Sequence, residues 1–427
     1  MAFNDSSSHS EKPRSSDAAR RSLPARTPSE RADDVVGILS SIVPNLPKIL
    51  VENDRVLTAA TAISVNVVGT ALRSKTFPDT VSRGSLILLQ ELSRLPNNQK
   101  SWKKDVTDAF NDPRFFGSST ALVQSDWLPL LRQWTMSDKD RMSEILSRIT
   151  PPTTAGIVFG VGATSARLEA DRRTQLNLRR VATLVLASPA DSFVIDLPTI
   201  AEKLVELLGA SATSSPSSTT RAEVYMVVRA LVLKTTAVHL APLWPVVNAE
   251  LHAAVSSVVA PDDSGPAETY NNASVLQACK LLDLLVCVAP DDFQLHEWLF
   301  VSDTVDAVYR PPGVPPVALA DELSEELGSA APAPASAHAE LSAAHAAASS
   351  AHRRPLLGSG ADAGGVSDDV SLDRKDELVA KVLRPFFGQL SIFAFESTYA
   401  MGPLDWEACA RGLLKDIFDE KSIVRSL

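Results

Sequence analysis

Apolar residues recur at helical spacing along most of this chain. The clearest case is DSFVIDLPTIAEKLVELLG, Asp191 to Gly209. Leu197, Ile200, Ala201, Leu204, Leu207 and Leu208 fall on one face, while Glu202, Lys203 and Glu206 fall on the other. Pro198 suits the first turn of the predicted helix and Gly209 suits its end. In DTVSRGSLILLQELSRL, Val81, Leu88, Leu92 and Leu95 line one face in spite of Gly84. Strand-like alternation is hard to find, so the pattern predicts an all-α protein.

ASVLQACKLLDLLVCVAP is apolar nearly all round. Its polar residues Gln277, Lys280 and Asp283 form one narrow stripe. Such a helix needs cover on most sides, which argues for a layered helical array with a continuous core. No fixed repeat of about 30–45 residues emerges. The expected architecture is an irregular HEAT-like or armadillo-like array of paired helices.

The composition divides the chain into four parts. Residues 1–31 are rich in Ser, Arg and Pro and read as a disordered tail. Ser22 and Thr27 are phosphorylation candidates within it, although a plain solvated tail is the commoner meaning of such a motif. Residues 32–309 carry the helical array. Residues 310–369 begin with Pro311, Pro312, Pro315 and Pro316, continue as Ala/Ser/Pro/Gly-rich sequence, and read as a linker or low-complexity insert. Residues 370–427 read as helices that complete the array.

The stretch TAVHLAPLWPVVNAEL predicts a structural helix corner at Pro242, Trp244 and Pro245. A helix over 221–239 precedes it, and Pro242 cannot continue that helix. Pro245 fits the first turn of the next helix, which shows Val247, Leu251, Ala254, Val255 and Val258 at helical spacing. Trp244 is expected to wedge between the two helices, with its indole N–H on a nearby acceptor.

Charge and cysteine content narrow the function. The 427 residues carry a net charge of −10 and show no basic stripe, which disfavours nucleic-acid binding. Cys279, Cys287 and Cys409 have no metal-ligand spacing, and two of them lie in apolar helical stretches, which fits a reducing compartment. The N-terminal residues lack the apolar core of a signal peptide. The longest uncharged apolar run, Ala155 to Ala163, is far short of the roughly 20 residues that span a bilayer. A cytosolic chain, or one peripheral on a cytosolic membrane face, is expected.

Catalytic, cofactor and metal motifs are weak throughout. Gly160-x-Gly162-x-x-Ser165 lacks the third glycine and the leading strand of a dinucleotide site. His296-Glu297 opens like a zinc-protease helix, but Phe300 stands where the second histidine belongs. His338, His345 and His352 lie seven apart, about 10.5 Å on a helix, too far to share one ion. Asp105, Asp108 and Asp112 are read as a solvated acidic face. No enzyme, cofactor or metal is expected. KVLRPFFGQLSIFAF pairs Lys381 and Arg384 with Phe386, Phe387, Phe393 and Phe395, a candidate membrane or partner contact. The competing reading, that these phenylalanines are core, is the commoner fate of aromatic stripes.

Four ordered stretches resemble the C-terminal region of the Dopey family. They are LRSKTFPDTVSRGSLILLQELSRLPNNQKSWKKDVTDAFNDPRFF, LRRVATLVLASPADSFVIDLPTIAEKLVELL, LAPLWPVVNAEL and LQACKLLDLLVCVAPDDFQLHEWLFVSD. Trp102, Lys103, Phe110, Asp112, Phe115 and Phe116 match the first block. Leu243, Trp244, Pro245 and Glu250 match the third, and Lys280 to Asp283 with Trp298 and Phe300 match the fourth. The resemblance covers about 45–309 and, more weakly, 370–427. It lacks the family's large N-terminal region and adds the Ala/Ser/His-rich insert.

The resemblance implies a non-enzymatic scaffold in vesicle-mediated protein transport. Its expected role is endosome-to-Golgi retrograde traffic, peripherally on Golgi, trans-Golgi network and endosomal membranes. Implied partners are a large Sec7-related trafficking scaffold and a phospholipid flippase. Two other classes stay open: a soluble solenoid adaptor that binds peptide segments without lipid contact, and a small-molecule enzyme on an all-helical fold. The apolar helices also leave a homodimer open.

Overall fold

Three helices whose side chains are buried on nearly all sides form the centre of this molecule. The computed structural model describes residues 27–96, 100–138, 140–150, 162–213, 218–259, 270–302, 311, 313–330, 352–357, 372–399 and 402–424. The longer helices, in chain order, are α1 (Pro28–Ile42), α2 (Asn53–Ile63), α3 (Arg83–Arg94), α4 (Lys100–Asn111), α5 (Leu128–Met136) and α6 (Arg141–Ser147). They continue with α7 (Gly162–Ala187), α8 (Leu197–Thr213), α9 (Ser218–Lys234), α10 (Trp244–Ser256) and α11 (Asn272–Val288). The last are α12 (Leu319–Ala330), α13 (Arg384–Tyr399) and α14 (Trp406–Ile417). Among the described residues there is no strand, only an isolated bridge between Arg353 and Leu404.

Helices α7, α9 and α11 lie side by side, with α9 in the middle. Residues 174–188 of the first, 220–232 of the second and nearly all of 274–287 in the third are buried. The row extends through α5 on one side. On the other, α10 and α13 cover α11, α12 packs on both of these, and α14 lies across α7 and α9. One continuous apolar core runs through all of these layers, as the sequence of α11 requires.

Local chemistry fixes where helices begin and end. Thr27 caps α1 in a capping box: its hydroxyl accepts from the Glu30 N–H at 3.3 Å, and its own N–H donates to the Glu30 carboxylate at 2.8 Å. The helix therefore starts inside the stretch expected as tail, and Thr27 is its cap; residues 1–26, with Ser22, lie outside the described residues. Helix α8 starts at Leu197 with Pro198 in its first turn, yet runs past Gly209 to Thr213. Helix α9 stops at Lys234, five residues before the expected end. Asp191, at φ 60°, accepts from the Thr236 N–H and hydroxyl at 2.7 and 2.6 Å and holds Thr236 extended. At the end of α11, Ala289 takes the left-handed conformation at φ 50°.

The stretch expected as linker contributes to the fold. Helix α12 packs on α13, where the Arg384 guanidinium donates to the Gly328 carbonyl at 2.9 Å and the Ser391 hydroxyl donates to Asp321 at 2.9 Å. Leu356 and Leu357 are buried in the core. Leu319, Leu323 and Leu327 do lie at helical spacing in α12, whereas the short non-helical segment with Leu356 and Leu357 carries no period.

Two continuous helical runs, Asn53–Leu72 and Lys375–Tyr399, are long and apolar enough, by length and composition alone, to cross a membrane. The expectation from uncharged runs missed them, because scattered polar residues interrupt each run without lowering its average hydropathy. Both pack against neighbouring helices in this structure.

Candidate functional site

Burying α7, α9 and α11 all round buries their charged residues too, and each then needs a partner. Arg179 of α7 is fully buried. Its guanidinium donates from Nε and Nη2 to both carboxylate oxygens of Glu223 on α9, each at 3.0 Å. Its Nη1 donates to the carbonyls of Ile417, the last residue of α14, and Asp419 at 2.7 and 2.8 Å. Burial pushes the Glu223 carboxyl up, although Arg179 opposes that shift. One turn away, Asp416 of α14 accepts from Lys280 Nζ at 2.6 Å and from Arg229 Nη1 at 2.5 Å. Burial favours its neutral form, but the two cations outweigh burial and hold it below the usual carboxylate range.

The polar stripe of α11 is therefore an internal seam. Gln277 accepts from Arg229 at 2.8 Å, Lys280 holds Asp416, and Asp283 accepts the N–H groups of Leu356 and Leu357 at 3.0 and 2.7 Å. Burial pushes Asp283 up to about 7, outweighing those two bonds. A third cluster joins α9 to α10: Glu250 accepts from Arg221, from the Tyr225 hydroxyl at 3.1 Å and from the Tyr270 hydroxyl at 3.3 Å. The Arg221 guanidinium lies 4.9 Å over the Tyr270 ring. Sequence reading found the α11 stripe but missed Arg179, Glu223 and Arg221. Their only signal was charge within otherwise apolar helical runs.

The other predicted residues divide clearly. Pro242, Trp244 and Pro245 form a tight corner: a 3-10 turn over Ala241–Leu243 leads into α10, with Pro245 in its first turn. Trp244 is buried and packs against Phe293 with ring centres 6.3 Å apart. Its indole N–H has no acceptor among the described residues, contrary to expectation. Phe386 and Phe387 are 0% and 1% exposed and pack on each other, so this pair faces the core and not a surface. Lys381 is exposed and paired with Glu377.

Asp105 corrects the acidic-face reading. It is buried, accepting from the Ser64 hydroxyl at 2.6 Å and from Arg73 at 2.7 Å. Asp108 is exposed, and Asp112 caps the short turn Pro113–Gly117. That turn places Phe115 against Phe110, Trp127 and Phe418, so the aromatic residues of the first resemblance block are core. Gly160, His338 and His345 lie outside the described residues, and His352 is exposed. Among the described residues no three His, Cys, Asp or Glu side chains converge as a metal site. Cys279, Cys287 and Cys409 are free and buried.

The opposite face of α13 carries a surface feature that sequence reading did not assemble. Phe395 and Tyr399, 45% and 74% exposed, pack with tilted rings whose centres are 5.0 Å apart. Trp298, 57% exposed, lies on the facing turn Glu297–Leu299. Between them runs a groove of about 290 Å³ that also takes in Gln294, Glu297 and Thr398. Burial raises the Glu297 carboxyl. The two walls are about 100 residues apart in the chain, so no local pattern could have paired them.

An all-α layered array, with its buried charges committed to joining helices and an aromatic groove on its surface, defines the class: a helical-array protein. The model of the DOP1 C-terminal family matches residues 2–400. Protein dop1 of Emericella nidulans is 49% identical over 391 residues, 92% of this chain and 20% of that relative. Protein DOP1B of Xenopus laevis is 26% identical over 309 residues, 65% of this chain and 13% of the relative. Protein DOP1 of Saccharomyces cerevisiae is 24% identical over 369 residues, 80% of this chain and 18% of the relative. The chain thus spans a fifth or less of the length of these relatives. No solved structure matches it. The chain belongs to the Dopey (DOP1) family and corresponds to its C-terminal region.

Proposed function

We propose that this chain is a non-enzymatic scaffold module in vesicle-mediated protein transport. It serves endosome-to-Golgi retrograde traffic and the organisation of those compartments. It acts peripherally on the cytosolic face of Golgi, trans-Golgi network and endosomal membranes, with a large Sec7-related scaffold and a phospholipid flippase as partners. The observation that carries this reading is membership of the Dopey family along residues 2–400. The fate of the ionisable groups is consistent with it: Arg179, Glu223, Arg229, Lys280 and Asp416 are spent on holding helices together, and the surface feature that remains suits contact, not chemistry.

The test is fractionation of a tagged chain in cells. The chain should sediment with Golgi and endosomal membranes, release with alkaline carbonate, and bring down a Sec7-related protein. Diffuse cytosolic distribution without those membranes or that partner overturns the reading. A second reading, a soluble adaptor for peptide segments, is favoured by the aromatic groove and by the net charge of −10. Under it, pull-down from membrane-free cytosol captures partners as well as pull-down from whole lysate does.

A further inference from the structure

We infer that the groove between Trp298 and the Phe395–Tyr399 pair is a docking site for an arginine side chain of a partner's peptide segment. The inference holds under either reading above, since it concerns the isolated chain.

This protein displays the required chemistry three times. Arg114 lies 5.6 Å from the Phe77 ring centre and is paired with Asp112. Arg141 lies 5.1 Å from Trp134 and is paired with Asp138 and Glu144. Arg221 lies over Tyr270 and is paired with Glu250. Each of these contacts joins a ring face, a guanidinium and a carboxylate. The groove supplies the rings of Trp298, Phe395 and Tyr399 and the carboxylate of Glu297, and among the described residues no cation faces that carboxylate.

Its polar lining points the same way. The Gln294 amide donates to the Ala289 carbonyl at 3.1 Å, which leaves its oxygen as an acceptor. The Thr398 hydroxyl donates to the Ala394 carbonyl at 3.0 Å, which leaves its lone pairs. Together with Glu297 these groups ask for donors. A guanidinium carries five N–H donors in a flat fork that stacks on rings. A choline headgroup carries none and would leave all three acceptors unbonded. The Glu297 carboxylate in the groove also opposes an anionic bilayer.

The purified full chain, labelled with 5-fluorotryptophan, is titrated with an acetylated pentapeptide that has arginine between leucines. The Trp298 fluorine resonance, assigned with Trp298→Phe, reports occupancy. Expected is saturable binding of the arginine peptide and none of the same peptide with citrulline, its uncharged isostere. Glu297→Gln should weaken binding about two- to fivefold, the range of a partly exposed ion pair. Glu52→Gln, on an exposed glutamate at the far end of the chain, should leave binding unchanged, and both variants should melt like the parent. Three results overturn the inference: equal binding of the citrulline peptide, equal weakening by both glutamate variants, or a Trp298 response to phosphatidylcholine vesicles with none to peptide. None of these bears on where the chain fractionates in cells.

Discussion

Asp416 accepts from Lys280 at 2.6 Å across 136 positions of sequence, and the same carboxylate holds Arg229 at 2.5 Å. This bond ties the C-terminal helix to the middle of the array. Asp416→Ala leaves two cations buried without their acid. It should lower unfolding free energy by about 3–5 kcal/mol, the usual cost of breaking a buried pair. Lys280→Met leaves Arg229 and Asp416 paired and should cost less. Urea unfolding of the three proteins measures the difference.

Asp283 gives the stability a pH dependence of defined sign. An unfolded aspartate ionises near 3.8, whereas burial pushes Asp283 up to about 7 in the folded chain. Between those values the folded state binds the extra proton, so stability falls as pH rises from about 4 to about 7 and is flat above. Glu223, also raised by burial, acts in the same direction. Asp416, held low, acts oppositely: its contribution is present above about 4 and is lost as pH falls below that. Asp283→Asn should flatten the slope between about pH 4 and 7. It should also lower stability, because Leu356 and Leu357 donate to different oxygens of Asp283 and one of these becomes an NH2 group facing an N–H. Denaturant titrations at several pH values check both outcomes.

Phe386→Ser/Phe387→Ser should abolish the cooperative melt of the C-terminal helices, since both rings are buried. Ile392→Ser/Phe395→Ser changes two residues that are 61% and 45% exposed on the same helix and should stay within about 0.5 kcal/mol of the parent. Thermal circular dichroism of the two double variants distinguishes interior from surface.

Trp244→Ala should cost about 3–5 kcal/mol, the usual range for truncating a buried tryptophan. Its ring fills the space between the start of α10 and Phe293. Loss of partner binding at undiminished stability would instead make the corner a recognition element.

Ala289→Gly should stabilise the chain by about 0.5–1 kcal/mol. Relief of the left-handed strain at φ 50° exceeds the added freedom of the unfolded glycine. A rise in melting temperature is the readout.

The helices were legible because their signal is local. The face of α8 and the all-round apolarity of α11 each follow from residues within one helix. The same apolarity located Gln277, Lys280 and Asp283 as a stripe that stood out. Asp105 was misread because an acidic residue at helical spacing looks the same whether it meets water or Arg73. Phe386 and Phe387 were ambiguous for the complementary reason: a basic, aromatic stretch suits either a membrane or a core, and only the position of α12 and α11 against α13 chose the core.

The sequence by itself determined the helical class, the need for a layered core and the resemblance to the Dopey family, because periodicity and residue order are properties of the chain alone. Only the tertiary structure decided which charges pair, and that part of the supposed linker belongs to the core. It also brought Trp298 opposite Phe395 and Tyr399. These relationships join residues up to 240 positions apart, and Coulombic and packing forces depend on distance in space, which one-dimensional spacing does not carry.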